Sequence, residues 1–392
     1  MRALRSLACA AVLAALLAVP AVARAEPWWK HRIDQLTAGH AISVAVGNDG
    51  TFLYRRRPTV RRAPASNEKL LLSMAILGAL GPDFQIQTRV AAASPPVDGV
   101  IDGDVWIVGR GDPLIDAAGL AALAKQIAAA GVTRIQGSVI GSTSYFGHDW
   151  FAPGWRDDFP RDEVALPTAL TFQRNQVHGV HIHRPELLAA RTLTHRLELH
   201  GVAVHGRAAE GRAPAGLSAI AKIESQPLID LLHRQNIDSV NFIAEVLGKL
   251  LGARTMNPDG AIAKGASAIE AWAQANGVGV TAFDSSGLSY ANRIDAVGML
   301  RLLWAADAAP WGGQLRLSLP HANEGTLGDR LRGVHLRAKT GTLKHRSALS
   351  GWVWLERGGT WGEFSILSQG MSYTEEKRLE DRIVRLIAGY AR

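Results

Sequence analysis

The sequence contains a short run of side chains whose types and spacing suit nucleophilic catalysis. Ser66 and Lys69 lie three residues apart at the start of a predicted apolar helix over residues 70–80, which Gly81 ends. Residues at this spacing share one helix face, with Cβ atoms about 5–6 Å apart, so the lysine amine can accept the serine proton. Backbone N–H groups at a helix N-terminus also stabilise an oxyanion. The alternative is that Ser66 only caps the helix and Lys69 lies at the surface.

Two further motifs, each present once, follow in the second half of the chain. Ser239 and Asn241 form a Ser-x-Asn directly before a predicted helix over residues 242–251. A Lys-Thr-Gly-Thr sequence follows a predicted strand over residues 334–338, and it comprises Lys339, Thr340, Gly341 and Thr342. Its lysine can hold a carboxylate, its glycine lets a substrate backbone lie close, and its threonines supply a hydroxyl and an N–H. Three motifs in this order are much more specific than the first alone.

The motifs and their flanking residues resemble a known family. Ser-x-x-Lys, Ser-x-Asn and Lys-Thr-Gly in this order mark penicillin-binding proteins and serine β-lactamases. The longer stretches resemble the class C, low-molecular-mass penicillin-binding proteins, the D-alanyl-D-alanine carboxypeptidase/endopeptidase family. The stretches that carry this resemblance are residues 64–71, 105–113, 284–289, 324–327 and 338–344.

This resemblance implies the serine β-lactamase/DD-transpeptidase-like fold, of the α/β (α+β) class, in which helices flank a central antiparallel sheet. The long stretch between the first two motifs then corresponds to a largely β inserted region. Predicted strands at both ends of the chain, with helices between them, independently suggest one sheet assembled from distant segments. We therefore expect a catalytic domain from residues 26–88 and 224–392, and an inserted region over residues 89–223.

Shorter patterns predict the individual elements. The inserted region shows alternating strands, such as those over residues 101–108 and 177–183, and an alanine-rich helix over residues 120–130. Helices dominate from residue 227 onward. The chain closes with strands predicted over residues 347–354 and 361–369 and a helix over residues 375–391.

The resemblance also implies roles for the first two motifs. Ser66 would attack the carbonyl of the penultimate D-alanine of a peptidoglycan stem peptide, with Lys69 as its base. The amine must be neutral to act, and partial burial beside a Lys339 cation would lower its pKa in that direction. Ser239 would relay the proton to the leaving amine, while Asn241 would orient Lys69 and bind the substrate amide.

The third motif completes the implied site. Lys339, Thr340 and Thr342 would hold the terminal carboxylate, and Gly341 would admit the substrate backbone. The N–H groups of Ser66 and Thr342 would form the oxyanion hole. Water would then hydrolyse the acyl-enzyme, and β-lactam antibiotics would stop the cycle at that stage. No cofactor and no metal are expected in this chemistry.

The first 25 residues are typical of a secretory signal peptide. Arg2 and Arg5 precede an apolar run over residues 7–19, and a small-x-small cleavage pattern ends at Ala25. We expect export to a bacterial periplasm, and cleavage lowers the formal charge from +8 to +5 because three arginines leave with the leader. The only cysteine, Cys9, lies in this segment, so the mature chain can form no disulfide or cysteine–zinc site.

Composition and the remaining polar clusters limit the other partners. No later apolar run reaches the roughly 20 residues that span a bilayer, and an exported protein is a poor candidate for nucleic acid. We interpret His178, His181 and His183 as a surface strand rather than a zinc site. The arginine-rich run over residues 55–62 is a solvated loop or contacts wall polymers or lipid headgroups, which would give weak peripheral membrane association. Aromatic residues over 145–151 either line a peptide subsite or pack internally.

Three functions fit these observations. A serine D-Ala-D-Ala carboxypeptidase, with DD-endopeptidase activity at the same site, agrees with every motif. A β-lactamase or esterase on the same core would instead hydrolyse β-lactams quickly. A wall-peptide-binding protein with a catalytically silent site is the alternative outside enzymes. The sequence leaves the oligomeric state open.

Overall fold

A computed structural model describes residues 27–256 and 259–391 of the chain. The predicted signal peptide lies outside the described residues. The helices are α1 (Trp28–Thr37), α2 (Glu68–Leu80), α3 (Ala117–Ala129), α4 (Phe159–Asp162), α5 (Pro185–Leu199), α6 (Leu228–Ile237), α7 (Asn241–Thr255), α8 (Ile262–Ala275), α9 (Ala296–Ala308), α10 (Gly312–Leu317) and α11 (Tyr373–Tyr390). The strands are β1 (Ala41–Asn48), β2 (Thr51–Arg56), β3 (Gln87–Ala92), β4 (Val100–Ile101), β5 (Val105–Val108), β6 (Arg134–Ile135), β7 (Val139–Ser142), β8 (Gln176–Val177), β9 (Val180–His181), β10 (Ala203–Val204), β11 (Ala209–Gly211), β12 (Ser218–Glu224), β13 (Leu336–Leu343), β14 (Arg346–Leu355) and β15 (Thr360–Gln369).

The segments predicted to form the catalytic domain contain one five-stranded antiparallel sheet, with strands from both ends of the chain. Its order is β13-β14-β15-β1-β2, so the last long strand, β15, pairs with the first, β1. Ala41 lies opposite Gln369 in this pairing. The predicted assembly of one sheet from distant segments is confirmed, and β13 is left as an edge strand.

Each face of this sheet carries its own hydrophobic core. On one face, Ile366 of β15 belongs to the core that includes Ile33 of α1 and Ile383 of α11. On the other face, Leu367 belongs to the core that α2, α7, α8 and α9 fill. Successive side chains of a strand point to opposite faces, so neighbouring residues of β15 stabilise two different layers. The predicted central sheet flanked by helices is confirmed.

The inserted region has two larger sheets, a two-stranded sheet of β8 and β9, and two long helices. A five-stranded sheet has the order β11-β7-β5-β3-β12, and a three-stranded sheet has the order β10-β6-β4. Helices α3 and α5 pack on these strands around a separate core. The predicted first edge of the region, between residues 88 and 89, falls inside β3. The predicted second edge, between residues 223 and 224, falls before the last residue of β12.

Several predicted elements in this region differ from the structure. The strand predicted over residues 101–108 is two short strands, β4 and β5, which belong to different sheets. The strand predicted over residues 177–183 is a small hairpin of β8 and β9. Helix α5 was not predicted, because polar residues interrupt its apolar positions and β-branched residues lie within it. None of the described helices is both long and apolar enough to cross a membrane.

The packing of β15 between two layers predicts that substitutions on either face lower the stability of the fold by similar amounts. Ile366→Ala and Leu367→Ala each remove a fully buried side chain, one from each face of the sheet. Each should lower the free energy of unfolding by about 2–5 kcal/mol in a denaturant titration. The control is Leu199→Ala, whose side chain is 61% exposed and should change stability by less than about 0.5 kcal/mol. A negligible effect of either buried substitution would contradict the two-layer arrangement.

Candidate active site

Ser66 lies in a strained turn immediately before α2. The turn is a 3-10 helix over Ala65–Asn67, and Ala65 has a φ of 47°, which is costly for a residue with a Cβ. The Asn67 side chain donates a hydrogen bond to the Lys339 backbone oxygen at 2.8 Å, which ties the turn to β13. Helix α2 itself begins at Glu68, so Ser66 lies just ahead of the helix rather than in its first turn.

Two glycines allow the neighbouring segments to press against this turn. A Cβ on Gly341 would lie 2.7 Å from the Pro64 carbonyl oxygen and 3.1 Å from the Ser66 nitrogen. Gly287 has a φ of 82°, and a Cβ there would overlap the Ala65 carbonyl oxygen. Both positions therefore require glycine, because any side chain would push the turn away from the site.

The Lys69 amine is buried beside the Ser66 hydroxyl. Its Nζ lies 3.2 Å from Ser66 Oγ and donates hydrogen bonds to Asn241 Oδ1 at 2.7 Å and to the Ser286 carbonyl oxygen at 2.6 Å. Burial, which is complete, lowers the pKa of Lys69 to about 8. The carboxylates of Asp284 and Glu245 oppose that effect. The predicted direction of the Lys69 pKa shift agrees with the structure, and burial is its leading cause.

Ser239 and Lys339 form a second hydrogen-bonded pair. The fully buried Lys339 Nζ donates to Ser239 Oγ at 2.9 Å and to the Thr340 carbonyl oxygen at 2.9 Å. Burial lowers the pKa of Lys339 well below its ordinary value, and the charges of Lys69 and Lys377 act in the same direction. Ser239 has a φ of 57°, a second strained residue at this site.

The Lys-Thr-Gly-Thr motif lies within edge strand β13 and not after it. The strand continues through the motif to Leu343, and Lys339 pairs with Ser350 of β14. Thr340 Oγ1 donates to Thr326 Oγ1 at 2.6 Å, while Thr342 is exposed toward the cleft. An edge strand keeps one row of backbone groups unpaired, so it can align an extended peptide.

A cleft of about 600 Å³ opens above these groups. Ser66, Ser239 and Asn241 line it together with Thr340 and Thr342. Lys69, Lys339 and Gly341 lie directly behind that lining, in contact with Ser66 or Ser239. The structure thus brings all eight residues singled out from the sequence to one place.

A network beneath β13 supports the motif from α11. Lys377 Nζ donates to the Gly341 carbonyl oxygen at 3.2 Å and to Ser347 Oγ at 2.6 Å. The buried Glu380 carboxylate accepts hydrogen bonds from Ser347 and from Arg330, whose Nη2 lies 2.8 Å from it. These contacts hold a backbone carbonyl of the motif, and Lys377 and Arg330 also line the cleft.

Comparisons with known proteins agree with this geometry. A family model described as the D-Ala-D-Ala carboxypeptidase 3 (S13) family matches residues 30–181 and 176–390. The chain belongs to this family. The resemblance predicted from the motifs is confirmed, and with it the enzyme class of a serine-type D-Ala-D-Ala carboxypeptidase.

Individual relatives support the same assignment. A D-alanyl-D-alanine carboxypeptidase of Actinomadura sp. strain R39 is 28% identical over 87% of this chain and 80% of its own length. A carboxypeptidase of Mycobacterium tuberculosis is 32% identical over 81% of this chain and 74% of its own length. Among solved structures, penicillin binding protein 4 of Haemophilus influenzae superposes with a TM-score of 0.82 at 20% identity, over 91% of this chain and 99% of that chain. A second structure of that protein contains a β-lactam. The predicted fold is confirmed.

In this S13-family chain, sequence reasoning missed a buried acidic cluster around Lys69. The Asp284 carboxylate accepts hydrogen bonds from Trp155 Nε1 at 2.7 Å, from Asn292 Nδ2 at 2.7 Å and from nearby backbone N–H groups. Glu245 Oε1 accepts from two backbone N–H groups, and burial raises the pKa of Glu245 to about 8. Glu68 is fully buried, and neither carboxyl oxygen has a hydrogen-bond partner among the described residues.

Glu163 is a further residue that the sequence did not indicate. It lies in the inserted region, yet its Oε2 and its carbonyl oxygen are each 3.4 Å from Asn241 Nδ2. Burial raises the pKa of Glu163, with Asp162 as the next cause. No local motif surrounds it, so only the folded chain brings it to the cleft.

The aromatic stretch over residues 145–151 packs against the catalytic domain and does not line the cleft. Phe146 is buried in the main core, and the Trp150 ring lies 4.6 Å from Lys249 Nζ. That amine also forms an ion pair with Asp149 at 2.7 Å. Phe146 therefore follows the internal-packing alternative, whereas Phe151 is 47% exposed and Tyr145 lines a different pocket.

His178, His181 and His183 lie on and beside the β8–β9 hairpin. His181 Nδ1 is 3.1 Å from the Pro160 carbonyl oxygen. Among the described residues, no group of three or more His, Cys, Asp or Glu side chains is arranged to hold a metal ion.

Burial of Glu68 predicts a pH-dependent stability difference. Burial raises the pKa of Glu68 well above its ordinary value of about 4.3, so ionisation above that pH favours the unfolded chain. Glu68→Gln cannot ionise. The difference in unfolding free energy between Glu68→Gln and the parent should therefore change with pH in favour of the variant. The change should be up to about 1.4 kcal/mol per pH unit above pH 4.3, until the pKa of Glu68 in the folded chain is reached.

Denaturant titrations at several pH values measure this difference. Glu198→Gln, at an exposed position of α5, is the matched control and should show no such pH trend. A constant difference between Glu68→Gln and the parent across the range would contradict the assignment of a neutral Glu68.

Proposed function

We propose that this protein is an exported serine D-Ala-D-Ala carboxypeptidase that acts on peptidoglycan stem peptides through an acyl-enzyme on Ser66. The observation that carries the proposal is the buried Lys69 amine, 3.2 Å from Ser66 Oγ, with Asn241 holding it in place. A serine hydroxyl needs such a base, and an amine with a pKa of about 8 is available in its neutral form near neutral pH.

Acylation follows from these positions. Lys69 accepts the Ser66 proton while Oγ attacks the carbonyl carbon of the penultimate D-alanine. The N–H groups of Ser66 and Thr342 stabilise the oxyanion. The proton passes from Lys69 toward Ser239, whose hydroxyl accepts a hydrogen bond from Lys339 at 2.9 Å, and on to the leaving amine. The C–N bond breaks, and D-alanine leaves with that proton.

The third motif recognises the leaving residue. A free carboxylate entering the cleft would meet the Thr340 and Thr342 hydroxyls, with Lys339 behind them. The burial that lowers the pKa of Lys339 makes its cationic form costly in the empty site, and a bound carboxylate would restore that form. Recognition of the carboxylate and ionisation of the lysine would thus be coupled.

DD-endopeptidase activity is a second candidate for the same machinery. In a cross-linked peptide, the residue on the leaving side of the scissile bond has a carbon of D configuration that also carries a free carboxylate. The groups that hold a terminal D-alanine carboxylate could therefore hold this one. The leaving group is larger, and a cleft of about 600 Å³ has room for more than one residue.

Location and inhibition are parts of the same proposal. The leader over residues 1–25 supports export to the periplasm, where peptidoglycan is found. A β-lactam would acylate Ser66 as the peptide does and remain attached. The β-lactam complex of the Haemophilus protein with this fold is in line with such a ligand.

Incubation with benzylpenicillin is the direct test. Intact mass spectrometry of the mature protein should show one added penicillin, and Ser66→Ala should show none. Unmodified protein with intact drug would overturn the active-enzyme proposal in favour of a silent wall-peptide-binding protein. Unmodified protein with the drug consumed would indicate a β-lactamase. Release of D-alanine from a pentapeptide then tests the carboxypeptidase reaction, and cleavage of a cross-linked dimer tests the endopeptidase one.

The pKa of Lys69 predicts the pH profile of acylation. Because only the neutral amine accepts the Ser66 proton, the second-order rate constant with penicillin should rise with pH and level off above about 8. Stopped-flow or quenched mass measurements give this rate. Lys69→Arg keeps the positive charge, but its guanidinium stays protonated and cannot accept the Ser66 proton. This variant should therefore lose acylation at every pH. A rate that is flat across the same pH range would rule out Lys69 as the base.

A further inference from the structure

A pocket of about 360 Å³ lies where the inserted region meets α7, and it shares no lining residue with the catalytic cleft. Arg89 of β3, Arg110 just after β5 and Arg254 at the end of α7 line it. Arg254 is thirteen residues along α7 from Asn241, which corresponds to about 20 Å of helix. The pocket is therefore remote from the reacting groups.

The three guanidinium groups carry uncompensated charge. The pocket lining contains no acidic side chain, and within the described residues none of the three arginines forms an ion pair or a hydrogen bond through its side chain. The Nε of Arg89 is buried without an acceptor. Arg110 and Arg254 are exposed, so solvent screens their charges, whereas the buried Arg89 N–H without an acceptor is costly. An anion bound between the three groups would accept from that N–H and be attracted by all three charges.

Aromatic rings hold two of these groups in place. The Arg110 guanidinium lies 4.4 Å from the Tyr145 ring centroid, and the Arg254 guanidinium lies 5.3 Å from that of Phe84. Stacking on a ring restricts the guanidinium plane but leaves its N–H groups free to donate. The donors are thus oriented before any ligand arrives, which reduces the entropy lost on binding.

The number of charges favours one class of anion. A phosphate monoester carries a charge of about −1.5 to −2 and three strong acceptor oxygens, whereas a carboxylate carries −1 and two oxygens. Arginine forks bind phosphate oxygens in pairs. The cavity is also larger than a phosphate group, and Gln85 and Gln87 add amide groups suited to hydroxyls.

We propose that this pocket binds the phosphate group of a phosphorylated sugar or polyol, independently of the catalytic cleft. Such a group occurs as a free metabolite and as a repeating unit of anionic polymers. A free metabolite presents a phosphate monoester, whereas each internal link of such a polymer presents a phosphodiester with one charge and two terminal oxygens, so the monoester is the better match to three arginines. On a polymer, the pocket would anchor the protein while the cleft, about 20 Å away along α7, remains open.

Isothermal titration calorimetry of the mature protein tests this proposal with three probes that share one sugar ring and differ in their charged group. Glucose 6-phosphate should bind saturably. Glucuronate should bind more weakly than glucose 6-phosphate, and glucose should bind most weakly of the three. Arg89→Gln and Arg110→Gln should each weaken glucose 6-phosphate binding by about tenfold or more, because each removes charged hydrogen bonds. Raised salt should weaken binding as well. Titration with a phosphodiester-linked glycerol oligomer then distinguishes a polymer from a free metabolite.

Arg191→Gln is the matched control, at an exposed position of α5 outside the pocket, and its binding should equal the parent's. The pocket variants should keep the parent's melting temperature and its rate of acylation by benzylpenicillin. Absence of saturable binding, equal affinity for glucuronate or glucose, or equal losses in Arg191→Gln would each overturn the proposal. Failure of penicillin acylation in the parent would bear on the catalytic proposal alone.

Discussion

A lysine amine without solvent contact lies beside the Ser66 hydroxyl, and much of the catalytic domain serves to hold it there. Burying an ammonium group is costly, so the folded chain favours the neutral amine and brings its pKa to about 8. The amine cannot move freely, because Asn241 and the Ser286 carbonyl oxygen both accept its hydrogen bonds. The acidic cluster around it limits how far its pKa falls. Position and protonation state are thus set by the same surroundings.

The turn that carries Ser66 is held from outside by segments remote in sequence. Its strained backbone is compatible with folding because Asn67 is bonded to β13 and because Gly341 and Gly287 admit close backbone approach. Strand β13 is in turn fixed by β14 and by Lys377 of α11. The central sheet, closed by strands from both ends of the chain, therefore positions the nucleophile as much as it stabilises the fold.

The inserted region is attached to this site by specific polar contacts. Trp155 donates to the Asp284 carboxylate, which lies in the cluster beside Lys69. Asp149 pairs with the buried Lys249 and accepts a hydrogen bond from the first backbone N–H of α8. Glu163 contacts Asn241. An insertion with its own core thereby contributes side chains to the catalytic cleft and to the packing beneath it.

The sequence by itself determined the three motifs, their family, the central sheet and most helices of the catalytic domain. Those features depend on local spacing and on hydrophobic periodicity, which are present in the chain before it folds. Only the tertiary structure decided that Lys69 is fully buried, that Glu68 and Glu245 surround it, and that Glu163 reaches the cleft. It also decided that Ser66 lies in a 3-10 turn and that the third motif lies within β13. Burial, strain and long-range contacts depend on segments hundreds of residues apart, and no local pattern encodes their distances.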